Sequence, residues 1–121
     1  MLTLEQFKAA RATLQGVIRT TSLIHSPALS KACGNQVYLK PENMQVTGAY
    51  KIRGAYYKIS TLSEEEKARG LITASAGNHA QGLAYAAQAA GVPATIVMPT
   101  TTPLVKVNNT KDYGARVILH G

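Results

Sequence analysis

Several residue types are scarce in this chain of 121 residues, and each scarcity excludes a class of protein. Cys33 is the only cysteine, so no disulfide can form within the chain, and the thiol has neither a redox nor a metal-binding partner. No apolar run approaches the ~18 residues that a membrane-spanning helix needs. The first residues also lack the apolar stretch of a signal peptide. We therefore expect a protein without a membrane partner, in a reducing, cytoplasmic setting.

Acidic residues are scarce as well, with six against thirteen Lys and Arg, which gives a formal net charge of +7. The basic residues are scattered from Lys8 to Arg116 and form no dense run, so the charge does not favour a nucleic-acid partner. His25 and His120 have no partners at ligand spacing, and no metal site is predicted.

Hydrophobic residues make up 45% of the chain, which is enough for a buried core. Capping and breaking residues divide the first part of the chain into short elements. The predicted elements are a helix from Thr3 to near Gly16, a helix from Ser26 to Gly34, a strand over 37–40, a turn at Thr47 and Gly48, a helix over about 49–61, and a short helix that begins at the capping box of Ser63 and Glu66 and ends at Gly70.

The second part alternates short apolar strands, predicted over 71–74, 94–98 and 116–119, with helices over 78–90 and about 102–113. Such alternation is typical of βαβ units and a parallel sheet. The predicted fold class is therefore α/β, with an open parallel sheet flanked by helices in a Rossmann-like, three-layer αβα arrangement. A strand over 116–119 normally leads into another helix, so we expect an incomplete fragment of a larger fold.

The segment from Ser75 to Asn78 lies between a predicted strand and a predicted helix. Ligands of open α/β sheets bind at the carboxyl ends of the strands, and Gly77 allows the backbone to approach a ligand closely. The following helix N-terminus offers unpaired N–H groups and a partial positive charge. These features predict a site for a carboxylate or phosphate. The alternative is that Ser75 and Asn78 only cap the helix.

Lys51 follows the turn at Thr47 and Gly48 and falls in the first turn of a predicted helix. An ammonium group there opposes the helix dipole, which suits a lysine whose amine acts as a nucleophile. The alternative is a solvated lysine without a special role.

Taken together, the segments Thr47–Gly54 (TGAYKIRG) and Ser75–Gly82 (SAGNHAQG) resemble the threonine dehydratase (threonine ammonia-lyase) family of fold type II, tryptophan-synthase-β-like, pyridoxal-phosphate enzymes. The resemblance extends to the segments 97–99, 106–107 and 117–121. It implies a pyridoxal 5'-phosphate cofactor and the conversion of L-threonine, and also L-serine, to 2-oxobutanoate or pyruvate and ammonia.

The resemblance also implies roles for individual residues. Lys51 would bind the cofactor covalently and carry the α-proton of the substrate, Asn78 would contact the ring hydroxyl, and Tyr50 would pack against the ring. The substrate carboxylate would be bound by Ser75, Gly77, Asn78 and His79, largely through backbone N–H groups. Asn43 and Arg53 would support the site.

The sequence differs from related enzymes of the family in three respects, and these indicate to which branch it is similar. Ile52 and His79 differ from cysteine synthases and favour dehydratases and serine racemases. Ala76 stands where serine racemases have a catalytic serine, which favours elimination over racemisation. Ala49 replaces a common serine, so one hydroxyl contact is absent. A serine racemase or another β-eliminating enzyme remains the alternative, and a nucleotide- or nucleic-acid-binding module the remote one, since no GxGxxG motif follows a strand.

The resemblance further implies that residues 1–45 belong to the large domain and residues 46–121 to a truncated small, mobile domain. The family's loop for the cofactor phosphate lies downstream, so we expect residues 1–121 alone to be inactive. The full-length enzyme is expected to be a homo-oligomer, a dimer or a tetramer. Whether it serves isoleucine synthesis or threonine breakdown, and whether it has a regulatory domain, stay open.

Overall fold

The structure, a computed structural model, describes all residues from Met1 to Gly121 as a mixture of short helices and strands. In chain order the elements are α1 (Leu4–Thr13), β1 (Ile24–His25), α2 (Pro27–Cys33), β2 (Tyr38–Leu39), a 3-10 helix (Glu42–Met44), α3 (Lys51–Ser60), α4 (Glu64–Ala68), β3 (Leu71–Ala74), α5 (Asn78–Ala90), β4 (Ala94–Met98), α6 (Leu104–Asp112) and β5 (Arg116–Leu119).

The predicted helix starts of the N-terminal part are confirmed. The Thr3 and Ser63 side chains each accept a hydrogen bond within a reciprocal capping box, and Ser26 caps α2. The predicted strand over 37–40 is shorter than expected and pairs antiparallel with β1. Neither β1 nor the 3-10 helix was predicted, because elements of two or three residues have no detectable periodicity.

The strands β3, β4 and β5 form a parallel sheet in that order, which confirms the predicted α/β class. Thr73 lies opposite Ile96 in the first pair, and Ile96 lies opposite Val117 in the second. The bounds of these three strands and of α5 agree with those predicted from the sequence. The carboxyl ends of the strands, where the loop 75–77 begins, lie at one edge of the sheet.

One face of the sheet is packed against α5 and α6. Ile96 and Met98 are almost fully buried there, against Ala80 and Ala84 of α5 and Val107 of α6. Side chains alternate along a strand, so Ile72 and Ile118 belong to the opposite face. Ile72 is 74% exposed and Ile118 is 36% exposed. Helices of this chain therefore cover one face of the sheet.

The helix α3 packs along α5 rather than on the sheet. Ala55 and Ile59 of α3 form a second buried cluster with Ala86 and Ala87 of α5 and with Val92. The small alanine side chains let the two helices approach closely.

None of the helices combines the length and the apolar character that a membrane span requires. No group of three or more His, Cys, Asp and Glu side chains is arranged to hold a metal ion.

The connection from α4 to β3 depends on Gly70, whose φ is +77°, and a Cβ atom there would lie 3.1 Å from the Pro93 carbonyl oxygen. Gly70→Ala should therefore reduce the free energy of unfolding by about 2 kcal/mol, since backbone strain and a steric contact add. Gly16→Ala is the matched control, because Gly16 has a φ of +79° and no neighbour within 4 Å. It should cost about 1 kcal/mol. Denaturant unfolding measures both, and equal losses would contradict a role for the Pro93 contact.

Candidate active site

Lys51 is the first residue of α3 and lies on the surface. Its amine, Nζ, is 5.4 Å from the centroid of the Tyr50 ring, within the range of a cation–π contact. Tyr50, at the N-cap position, provides no side-chain cap for α3. The structure thus places an accessible amine and an exposed aromatic ring side by side at the start of this helix.

The start of α5 is also free of a side-chain cap. Its N-cap residue is Gly77, and no side chain accepts a hydrogen bond from the first turn. Ser75 Oγ accepts a hydrogen bond of 3.2 Å from the Gly77 N–H instead. The alternative that Ser75 and Asn78 cap the helix is therefore wrong. The first N–H groups of α5 remain available to an anionic ligand.

Gly82 joins these two sites. A Cβ atom built on Gly82 would lie 3.2 Å from the carbonyl carbon of Lys51 and 3.1 Å from the backbone nitrogen of Ile52. Asn78 is one helical turn before Gly82, about 6 Å along the axis of α5. The backbone of Lys51 is thereby brought next to the first turn of α5, although Asn78 follows Lys51 by 27 positions in the chain.

The contacts follow the same order along both helices. Ile52 lies beside Gly82, and Ile59 lies in the cluster that contains Ala87 and Val92. The two helices therefore run in the same general direction, with both uncapped N-termini at the same end. The N-terminus of each helix is the positive end of its dipole. Because the N-termini of α3 and α5 lie at the same end of the helix pair, a negatively charged ligand is favoured there.

Two of the residues predicted for the site, His79 and Asn43, have other surroundings as well. His79 lines a groove between α3 and β3, together with Lys58 and Thr73. Its backbone N–H, at the start of α5, is placed to serve a ligand of that helix N-terminus. Asn43 is exposed in the 3-10 helix, on the segment that leads towards α3.

Arg53 has a clear structural contact. Its Nε donates to Glu42 Oε2 at 2.8 Å and its Nη2 donates to Glu42 Oε1 at 2.8 Å. The Thr21 hydroxyl donates to the same carboxylate at 2.8 Å. These donors, first of all Arg53, lower the pKa of Glu42 to about 2, and the carboxylate raises the pKa of Arg53. The ion pair between Arg53 and Glu42 thus connects the first turn of α3 to the 3-10 helix that precedes it.

Gln45 is a second anchor of that segment. It is buried, and its side-chain oxygen accepts a hydrogen bond of 2.7 Å from the Arg19 N–H. Its side-chain nitrogen donates to the Arg19 carbonyl oxygen at 2.8 Å. Together with the Glu42 pair, this amide holds the segment 42–45 between residues 19–21 and α3.

Sequence reasoning missed both anchors. A signal was present for Glu42, because it is the only acidic residue between Glu5 and Glu64 in a basic chain. Gln45 gave no comparable signal, since its partners are backbone groups 26 residues away.

The donor set fits a cofactor that carries an aldehyde on a flat ring, bound beside a carboxylate. Lys51 supplies an amine for the aldehyde, Tyr50 supplies a flat surface for a ring, and the start of α5 supplies N–H donors. A Cβ atom on Gly77 would meet no atom within 4 Å, so the space above this turn is open.

Loss of the Glu42 charge tests the anchor. The pKa of Glu42 is lowered from 4.5 to about 2 in the folded protein, so the pair stabilises the fold above pH 4.5 and the stabilisation is lost as the pH falls towards 2. Glu42→Gln should cost about 1–2 kcal/mol at pH 7, after allowance for solvent screening. Urea unfolding at several pH values should show the difference shrinking below pH 4.5.

Glu64→Gln serves as the control for that experiment. The Glu64 side chain is 90% exposed in its pair with Lys67. Its loss should change stability by less than about 0.5 kcal/mol. A Glu42 effect that is equally small, or independent of pH, would contradict the anchor.

Comparisons with known proteins agree with this chemistry. The family model described as "Pyridoxal-phosphate dependent enzyme" matches residues 14–121. An L-threonine ammonia-lyase of Thermotoga maritima is 57% identical over 121 residues, which are 100% of this chain and 30% of that protein.

Solved structures are similar too. The processed form of threonine deaminase isoform 2 from Solanum lycopersicum superposes with a TM-score of 0.82 at 38% identity, over 99% of this chain and 36% of that one. A serine racemase from Dictyostelium discoideum gives a TM-score of 0.91 at 37% identity, over 98% of this chain and 38% of that one.

The chain thus spans about a third of the length of the relatives it matches. Since the family model covers nearly all of it, from Leu14 to Gly121, and the folds superpose closely, the chain belongs to the fold type II family of pyridoxal-phosphate-dependent enzymes, within which its similarity is to the threonine ammonia-lyases.

Proposed function

We propose that the protein containing this chain is a threonine ammonia-lyase, which converts L-threonine to 2-oxobutanoate and ammonia and accepts L-serine as well, giving pyruvate. The observation that carries the proposal is the meeting of Lys51 with the uncapped start of α5, across the contact at Gly82. The similarity to threonine ammonia-lyase at 57% identity supports the choice of substrate.

Lys51 is proposed to bind pyridoxal 5'-phosphate covalently and, once released, to take the proton from the α-carbon of the substrate. Its position at the exposed start of α3 leaves the amine free to reach a bound ring. The bound cofactor supplies an electron sink for the negative charge that develops at that carbon. Tyr50 is proposed to pack on the cofactor ring, and Asn78 to hydrogen-bond to its hydroxyl group.

The start of α5 is proposed to bind the substrate carboxylate. Backbone N–H groups of Asn78 and His79 are suitable donors, because no side chain accepts a hydrogen bond from them. Gly77, whose own N–H donates to Ser75 Oγ, lets the ligand approach the backbone closely. Ser75 adds a hydroxyl group, which accepts from the Gly77 N–H and can donate to the carboxylate. A helix N-terminus of this kind stabilises an anion without a positively charged side chain.

A serine racemase is the second candidate, and the TM-score of 0.91 with such an enzyme is the observation that favours it. Ala76 argues for elimination instead. A methyl group cannot hold or deliver a proton, so position 76 cannot supply the second proton donor that racemisation needs.

The wider properties of the protein are proposals as well. We infer a homo-oligomer, a dimer or a tetramer, in a cytoplasmic setting, with residues 1–45 in a large domain and 46–121 in a small, mobile domain. The anionic cofactor phosphate requires several N–H donors. The isolated chain of residues 1–121 is proposed to lack most of them and to be inactive.

Replacement of the lysine tests the central assignment. Lys51→Ala should abolish the absorbance of the lysine-bound cofactor and reduce 2-oxobutanoate release by at least about 10²–10⁴-fold, since the covalent anchor and the proton carrier are lost together. Borohydride reduction followed by peptide mapping should place the cofactor on Lys51 in the parent enzyme. Lys58→Ala, two turns along the same helix, should retain both signals. Trapping of the cofactor on another lysine would refute the assignment.

A substrate panel separates elimination from racemisation. The intact enzyme supplied with L-threonine, L-serine and D-serine should release 2-oxobutanoate and pyruvate from the L-amino acids, with little D-serine formed from L-serine. Coupled assays measure the oxo acids and chiral chromatography measures the serine enantiomers. Formation of D-serine faster than pyruvate would favour the racemase instead.

A further inference from the structure

We propose that Gly82 is a positioning residue for the active-site lysine. By bringing the first turn of α3 against α5, it sets the distance between Lys51 and the N–H groups at the start of α5. This inference rests on the proposed function, in which Lys51 binds the cofactor and the start of α5 binds the substrate.

The contact involves backbone atoms on the α3 side. A Cβ atom on Gly82 would lie 3.1 Å from the Ile52 nitrogen, 3.2 Å from the Lys51 carbonyl carbon and 3.5 Å from the Ile52 Cα. Backbone atoms cannot rotate away as the end of a long side chain can. Any side chain at position 82 therefore has to displace the peptide that joins Lys51 to Ile52.

No conformational demand explains glycine at this position. Gly82 is not among the glycines with positive φ, and it lies inside the regular helix α5. Alanine is favoured over glycine in a helix interior, and the rest of α5 is rich in alanine. The space between the helices is the remaining physical reason for a residue without a side chain.

The neighbours of Lys51 restrict where α3 can move. Ile52 is fully buried, and Arg53 is held by two hydrogen bonds to Glu42. With the helix fixed on these sides, an added methyl group at position 82 forces the α3 terminus away from α5. Lys51, as the first residue of that terminus, moves with it.

The displacement is small but relevant to the chemistry. Cβ contacts of 3.1 and 3.2 Å require the neighbours to shift by a few tenths of an ångström. Since about 1 Å of misplacement can reduce a rate 10²-fold, a shift of a few tenths of an ångström should reduce it by up to about tenfold. Alanine at position 82 should thus have a measurable effect, and valine a larger one.

The test compares Gly82→Ala and Gly82→Val with Gly54→Ala in the intact enzyme. Gly54 is the matched control, because it lies in α3 and a Cβ there would meet no atom within 4 Å. The readouts are the rate at which added cofactor becomes bound to the lysine, followed by its absorbance, together with kcat and KM for L-threonine and the unfolding temperature. We expect kcat and the binding rate to fall roughly tenfold for Gly82→Ala and about 10²-fold for Gly82→Val.

Under the proposal, KM should change less than kcat. Gly54→Ala should match the parent in the binding rate, kcat and KM, with an equal or higher unfolding temperature. Loss of thermal stability in Gly82→Ala with an unchanged binding rate and kcat would overturn the inference, because it would indicate a purely structural glycine. If Gly82→Ala is unfolded at the assay temperature, the binding rate is measured at a lower temperature at which it is folded, and a parent-like rate there would also overturn the inference.

The outcome is separable from that of the proposed function. If the parent enzyme carries its cofactor on Lys51 and Gly82→Ala leaves this unchanged, only the role of Gly82 fails. If the parent carries its cofactor on another lysine, the proposed function fails first.

Discussion

The close contact between α3 and α5 is the constraint on which the rest of the site depends. These helices are separated in the chain by α4 and β3, so Lys51 at the start of α3 is distant in sequence from every residue of α5. Small residues on α5 and the buried side chains of Ile52 and Ile59 bring them together. Since the helices run in the same direction, the contact gathers an amine and a set of backbone donors at one end.

Some helix N-termini of this chain have a side-chain cap and others do not, and this difference decides which of them can bind a ligand. Thr3, Ser26 and Ser63 each accept a hydrogen bond from one N–H group in the first turn of α1, α2 and α4. The starts of α3, α5 and α6 have no such cap. Helix N–H groups without an internal partner are satisfied by caps, water or ligands. An uncapped terminus at the ligand-binding edge of the sheet is suited to binding an anion.

Stability and chemistry are provided by neighbouring but separate contacts. The Glu42 and Arg53 pair and the buried Gln45 hold the segment that leads into α3, and neither belongs to the proposed ligand contacts. A bidentate charged pair fixes the direction of a helix terminus as well as its distance, because its two hydrogen bonds are directional. Lys51, two residues before Arg53, can therefore stay exposed and still be well placed.

The sequence alone determined the order of the longer elements, the parallel α/β class, the capped helix starts and the family. Apolar periodicity, capping residues and the motifs at 47–54 and 75–82 are all local signals. It also singled out Lys51 and the turn at 75–78. Only the tertiary structure decided that Ser75 and Asn78 leave α5 uncapped, that Glu42 binds Arg53, and that Gly82 lies against Lys51. These contacts join residues 11 to 31 positions apart or depend on the path of a loop, and no local pattern encodes which surfaces of two helices will meet.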